Sequence, residues 1–156
     1  MLELLLSIDV HSETLTHLLN GMSTSMMNVL QQPVTIAAPK KLEHPIQFEY
    51  GVLIGIFGDI EGKLLLTGDV SVFSTIGETM FGMPLEGEML TSFCGELGNM
   101  IAGGFSTIIV GHGITTDISS PTIMRGNTTL SGHKQAHQIQ ISLCEETELI
   151  AYLLVD

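Results

Sequence analysis

The chain has 156 residues, of which 44% are hydrophobic and 14% charged, a length that holds one domain with a sizeable core and a composition too apolar for disorder. Five Lys and Arg against seventeen Asp and Glu give a formal charge of −12, the wrong sign for the phosphate contacts that dominate nucleic-acid affinity, and this argues against DNA, RNA and anionic membrane surfaces as partners. With so much apolar surface to hide, part of it is expected in an oligomer. The two cysteines, Cys94 and Cys144, read as buried free thiols of a cytoplasmic protein. The opening MLELLLSIDV carries Glu3 and Asp9 and no basic lead, so it does not read as a signal peptide. No stretch reaches the roughly 18 uninterrupted apolar residues of a bilayer span, so membrane insertion is not expected.

Residues 2 to 10 fit a short strand or the lead-in to a helix, and periodicity does not decide between them. Ser12, with Glu13 in the first turn, suits a helix start. Leu15, Leu18, Leu19, Met22, Met26 and Leu30 then make an apolar face up to about Gln32, where Pro33 ends the helix. Val34 to Ala38 reads as a strand ended by Pro39-Lys40-Lys41. Tyr50, Val52, Ile54 and Ile56 alternate with Gly51, Leu53, Gly55 and Phe57, a strand apolar on both faces and hence central; its two glycines suggest close approach by another element. A turn at Gly58 to Gly62 returns the chain antiparallel through Lys63 to Thr67. A second helix, capped by Asp69 or Ser71, runs to about Phe81, with Gly82 past its end.

The third helix begins near Gly87 and organises the rest. Leu90, Cys94, Leu97, Ile101, Phe105 and Ile108 recur three or four apart and form one stripe. Ser92, Glu96, Asn99 and Gly103 fall opposite. Small residues at Ser92, Gly95, Gly98, Gly103 and Ser106 replace the long charged side chains usual on an exposed helix face, and each glycine costs about 1 kcal/mol against alanine. Either another element of the fold packs closely there, or a partner approaches Glu96 and Asn99. An E-x-x-N spacing by itself occurs by chance in many helices. Beyond it, Ile114 to Arg125 is extended and broken by Pro121, Ile139 to Leu143 alternates as a half-buried strand, Glu145 to Glu148 turns, and Leu149 to Val155 closes the sheet. The expected class is α+β, one domain over residues 1–156, with about three helices on a mostly antiparallel sheet of about six strands.

The run E-L-G-N-M-I-A-G-G from Glu96 to Gly104, followed by S-P-T-x-x-x-G from Ser120 to Gly126, resembles the CheX branch of the CheC/CheX/FliY family of chemotaxis phosphatases. The resemblance implies that Glu96 and Asn99 are the catalytic pair acting on a phosphorylated CheY-like response regulator, with Ser92, Gly95 and Gly103 as the docking surface around them. It implies no cofactor of the chain's own, Mg²⁺ being supplied by the regulator, and a cytoplasmic homodimer joined through its sheets, for which Ile114 to Arg125 is the segment expected to leave its own sheet edge. Some relatives carry a second acid-and-Asn pair on the first helix. Here Asn20 follows His17 at three residues, and Asn28 follows Ser25, so that second pair is missing. A non-catalytic binding module of the same fold, like the flagellar-switch relatives, is the alternative.

Other chemistries find less support. His11, His17, His44, His112, His133 and His137 show no short ligand spacing, and His133 and His137 stand four apart in a region that reads as extended. Gly58-x-x-x-Gly62 and Gly103-Gly104 lack a Walker lysine and a dinucleotide fingerprint. No G-x-S-x-G is present.

Overall fold

The computed structural model describes residues 2–143 and 147–156, with residues 2–11 described by backbone alone. Three helices pack on one eight-stranded sheet. Helix α1 (Leu2–Leu30) includes residues 2 to 10, so the undecided N-terminal stretch is helical; it ends just before Gln31, which takes a positive φ of 51°. Two short strands follow where one was expected. They are β1 (Thr35–Ile36) and β2 (Lys40–Leu42), separated by Pro39, which has no N–H to give to a ladder, and both pair antiparallel with β7 (Gln135–Ser142). The expected six strands become eight because this segment and the one broken at Pro121 each divide in two.

Strand β3 (Ile46–Gly58) is central. On one side it pairs with β4 (Gly62–Thr67), which pairs in turn with β8 (Glu148–Val155) and, through it, with β7; on the other it pairs with β5 (Thr116–Ile118) and β6 (Thr122–Leu130). The register against β6 shifts between Phe48 and Tyr50, as a bulge does when it re-aims side chains. Before the shift Ile46 and Phe48 join a small cluster with Leu65, Tyr152 and Leu154; after it Tyr50, Val52, Ile54 and Ile56 join the main core beneath the helices. The segment Ile114 to Arg125 does not leave its sheet: β5 and β6 both lie on β3 of the same chain. Among the described residues the outer edge of β6 has no strand against it. Glu145 and Glu146 of the expected turn lie outside the described residues, as does Cys144, while Glu148 already belongs to β8.

Helix α2 (Val70–Phe81) begins at Asp69 and ends at Gly82 in the left-handed conformation, φ 73°, as the glycine after an apolar run predicts. Helix α3 (Gly87–Val110) is about 36 Å long. By length and composition it is apolar enough to cross a membrane; in this fold its stripe of Leu90, Phe93, Cys94, Leu97, Ile101, Phe105 and Ile109 is buried against the sheet and the other helices. Its contact with α1 is close because both helices present small residues. Ser25 is buried and donates to the Ile101 carbonyl at 2.6 Å, and a Cβ on Gly104 would stand 2.5 Å from that hydroxyl.

Candidate functional site

The face of α3 turned away from the core is formed by Ser92, Gly95, Glu96, Asn99 and Gly103, as the helical period requires. Ser92, Glu96 and Asn99 are exposed, and neither Glu96 nor Asn99 has a side-chain hydrogen-bond partner among the described residues. They stand one turn apart, a spacing that brings Cβ atoms within about 5–6 Å. Ile108, assigned to the buried stripe by spacing, is only half-buried; Ile109 takes the core position instead, because the 3.6-residue period drifts over six turns.

The small residues divide by cause. Gly98 belongs to the core side and not to the exposed face: a Cβ there would lie 2.7 Å from Val52 Cγ1 and 3.0 Å from Ile54 Cδ1, so α3 rides directly on β3. Gly104 admits α1. Ser106 bonds Thr116, through its carbonyl at 3.0 Å and its hydroxyl at 2.9 Å. A Cβ at Gly95 would make ordinary contact with Pro121 at 3.5 Å, and one at Gly103 would meet nothing within 4 Å. Among the described residues, no tight neighbour accounts for Gly95 or Gly103, and Ser92 beside them is exposed.

A second wall faces the helix. After α3, the chain returns along the end of β3 and is pinned there by several bonds. Thr115 N–H donates to Asp59 Oδ2 at 2.8 Å, Ser119 N–H donates to the Gly55 carbonyl at 2.9 Å, and Gly55 N–H donates to Ser119 Oγ at 2.7 Å. A Cβ on Gly55 would stand 3.0 Å from that hydroxyl, which is the close approach the strand glycine foretold. The result is a shallow groove of about 460 Å³ between Ser92, Gly95, Glu96 and Asn99 on one side and Ile118, Ser119, Ser120 and Pro121 on the other. Glu96 is its one charged lining residue among the described residues. The residues Ser119 to Pro121 were legible only as part of a motif; nothing in their spacing placed them opposite Glu96.

A larger cavity of about 930 Å³ lies at the other side of α3, bounded by Tyr50, Asp69, Thr91 and Arg125 among others. Arg125 bonds Thr91 Oγ1 there. Beneath it Tyr50 donates to Cys94 Sγ at 3.3 Å; burial first, and this bond second, push the phenol up to about 12, and burial likewise raises the Cys94 thiol. These shifts describe a quiet, protonated core pair and not a nucleophile. Among the described residues no three His, Cys, Asp or Glu side chains converge on a metal position. His17 and His112 stack at 3.8 Å, and His137 is buried in β7.

The family model for chemotaxis phosphatase CheX matches residues 50–144, the span that holds most of β3, all of α3 and both walls of the groove. The chain belongs to the CheX family. Solved structures carry the same fold. A CheC-like superfamily protein from Shewanella sp. PV-4 aligns over 90% of this chain and 97% of its own at 22% identity, with a TM-score of 0.78. CheX from Vibrio vulnificus aligns over 89% and 99% at 23% identity, TM-score 0.78. CheX from Borrelia burgdorferi, solved as a CheX–CheY–BeF₃–Mg²⁺ complex, aligns over 90% and 96% at 18% identity, TM-score 0.74. Among curated proteins, none matches the chain in sequence. Within this CheX fold α3 and the Ser119–Pro121 ridge form a groove in which an acid, Glu96, and a carboxamide, Asn99, stand together in the open.

Proposed function

We propose that this CheX-family chain accelerates hydrolysis of the aspartyl phosphate on a CheY-like response regulator, with Asn99 orienting the water and Glu96 docking the partner. The observation that carries the reading is the pair itself: a carboxylate and a carboxamide one turn apart, exposed, without hydrogen-bond partners among the described residues, and set among residues too small to keep another surface away.

An acyl phosphate is already activated. Water attacks phosphorus, the bond between phosphorus and the Asp oxygen breaks, and the regulator's carboxylate and inorganic phosphate leave. The regulator holds Mg²⁺ and a Lys around its phosphoryl group, so the missing component is a nucleophile held in line. The Asn99 carboxamide accepts one hydrogen bond from the water and restricts its orientation, gaining rate by positioning and not by proton abstraction. Glu96 accepts a charge-assisted bond from the regulator's Lys and fixes the register of docking. Ser92, Gly95 and Gly103 let the regulator's surface reach the helix backbone. Mg²⁺ is supplied in this reading by the regulator, which holds it beside its phosphoryl group. The protein works in the cytoplasm, where response regulators are, and as a homodimer; the open outer edge of β6 favours pairing with a second copy, because an unpaired nine-residue edge is a surface proteins normally close.

Phosphate release from the host's phosphorylated response regulators, measured with and without the protein, tests the reading. One regulator should lose phosphate faster than it does alone. A regulator that binds tightly and is never accelerated would make the chain a docking module instead.

A further inference from the structure

Among the described residues seven large hydrophobic side chains are exposed, and three of them, Phe81 at 60%, Met83 at 52% and Met89 at 60%, fall within nine residues at the corner where α2 hands over to α3. Phe81 sets its ring edge-on against Phe93, centroids 5.7 Å apart, and Phe93 lies one turn beyond Met89 on α3. The corner is therefore one patch built across two helices. Met89 precedes Glu96 by seven residues, which returns it to within about 20° of the same azimuth. Met89 and the Glu96–Asn99 pair share one face.

We infer that Met89, with Phe81 beside it, is the apolar anchor on which the regulator seats a complementary apolar patch flanked by basic side chains, and that this corner sets which regulator is taken. The inference rests on the phosphatase reading above. Its reach follows from dimensions. A standard interface covers about 800 Å² of each partner, a disc of radius about 16 Å. Centred midway between Glu96 and Asn99, the disc extends past Met89, at about 13 Å along the helix, and stops short of the other exposed apolar residue on this face, Val110, at about 19 Å. A regulator seated on the pair thus covers Met89, and buried apolar anchors dominate the energetics of such contacts. The rim is acidic: Glu86 and Glu88 are exposed beside Met89, and the one Lys or Arg hydrogen-bonded to α3 among the described residues, Arg125, is engaged with Thr91. A second copy of this chain fits poorly, because a two-fold contact through the corner would set both copies' Glu86 and Glu88 against each other.

The test uses the intact protein and the regulator it dephosphorylates fastest, loaded with aspartyl phosphate by a small acyl-phosphate donor. Met89→Ser and Phe81→Ser should each raise KM about tenfold, which is about 1.4 kcal/mol of binding, and leave kcat within about twofold, the signature of lost docking without lost chemistry; Met89→Ser should also keep the wild-type unfolding temperature, whereas Phe81→Ser should lower it through the lost edge contact with Phe93. An unchanged KM overturns the inference, as does a fall in kcat at constant KM. So does light scattering in which Met89→Ser halves the wild-type mass, since the corner would then be a self-contact. Wild-type protein inert towards every regulator would remove the phosphatase reading, and the inference with it; active wild-type protein with a fully competent Met89→Ser removes the inference alone.

Discussion

Two glycines on one helix should respond oppositely to the same substitution. Gly103→Ala adds a Cβ that meets nothing within 4 Å, so the helix gains about 1 kcal/mol of propensity and the unfolding temperature rises by about 2–4 °C for a chain of this size. Gly98→Ala makes the same gain but drives its Cβ to 2.7 Å from Val52 Cγ1 and 3.0 Å from Ile54 Cδ1. Val52 is stiff at χ1 and held in β3 between Leu66 and Ile123, and overpacking of that kind costs about 1–3 kcal/mol. The net change is a loss of about 0–2 kcal/mol. Thermal unfolding of the two variants side by side reads the difference directly. Gly103→Gln completes the set: it stays folded but places a long side chain one turn past Asn99, and regulator dephosphorylation should fall at least about tenfold, or about 1.4 kcal/mol of transition-state stabilisation. Gly98→Ala as stable as Gly103→Ala would refute the packing argument, and a fully active Gly103→Gln would refute the docking face.

Further outcomes follow from the same structure. Tyr50 has its phenol pushed up to about 12 from 10.0 by burial and by its bond to Cys94; a protonated folded state against an ionised unfolded one means that stability is intact below pH 10 and falls as pH rises from 10 towards 12, and denaturant titrations across that window should show the fall weaken in Tyr50→Phe. Isothermal calorimetry of the protein alone with Mg²⁺ should show only the weak, non-stoichiometric heat of an acidic surface, whereas a tight single site would contradict assignment of the metal to the partner. Light scattering at micromolar concentration should give twice the 16.8 kDa chain mass; the monomer mass would exclude the homodimer.

The sequence made α2, α3 and the central strand legible because each has a strong period bounded by Gly or Pro. It did not reveal that residues 2 to 10 are helical, since Leu2 and Leu4 to Leu6 satisfy either period over so short a run. Lys40 and Lys41 after Pro39 looked like a terminator because polar residues suit loops, yet an edge strand wants charge, and Lys40 and Lys41 pair across to Gln138 and His137. Pro121 was readable as a break, but not that β5 and β6 resume on the same neighbour on either side of it. For the site, helical geometry alone aligned Ser92, Glu96, Asn99 and Gly103. Gly98 was misassigned because spacing does not distinguish a glycine demanded by a strand beneath from one left open above. Ser119 to Pro121 became a wall only through bonds to Gly55, a contact 64 residues distant in the chain. Met89 escaped notice as an exposed apolar side chain at the first turn, where the stripe had not yet become clear.

The central claim turns on one side chain. With a regulator that the wild-type protein dephosphorylates, Asn99→Ala should bring phosphate release back to the regulator's own rate while its affinity for the phosphorylated regulator, measured separately, stays within about threefold, because the lost carboxamide contributes to the transition state and little to docking. Its unfolding temperature should be that of the wild type, since substitutions at exposed positions usually stay within about 0.5 kcal/mol. An Asn99→Ala protein that still accelerates release at the wild-type rate would contradict the account.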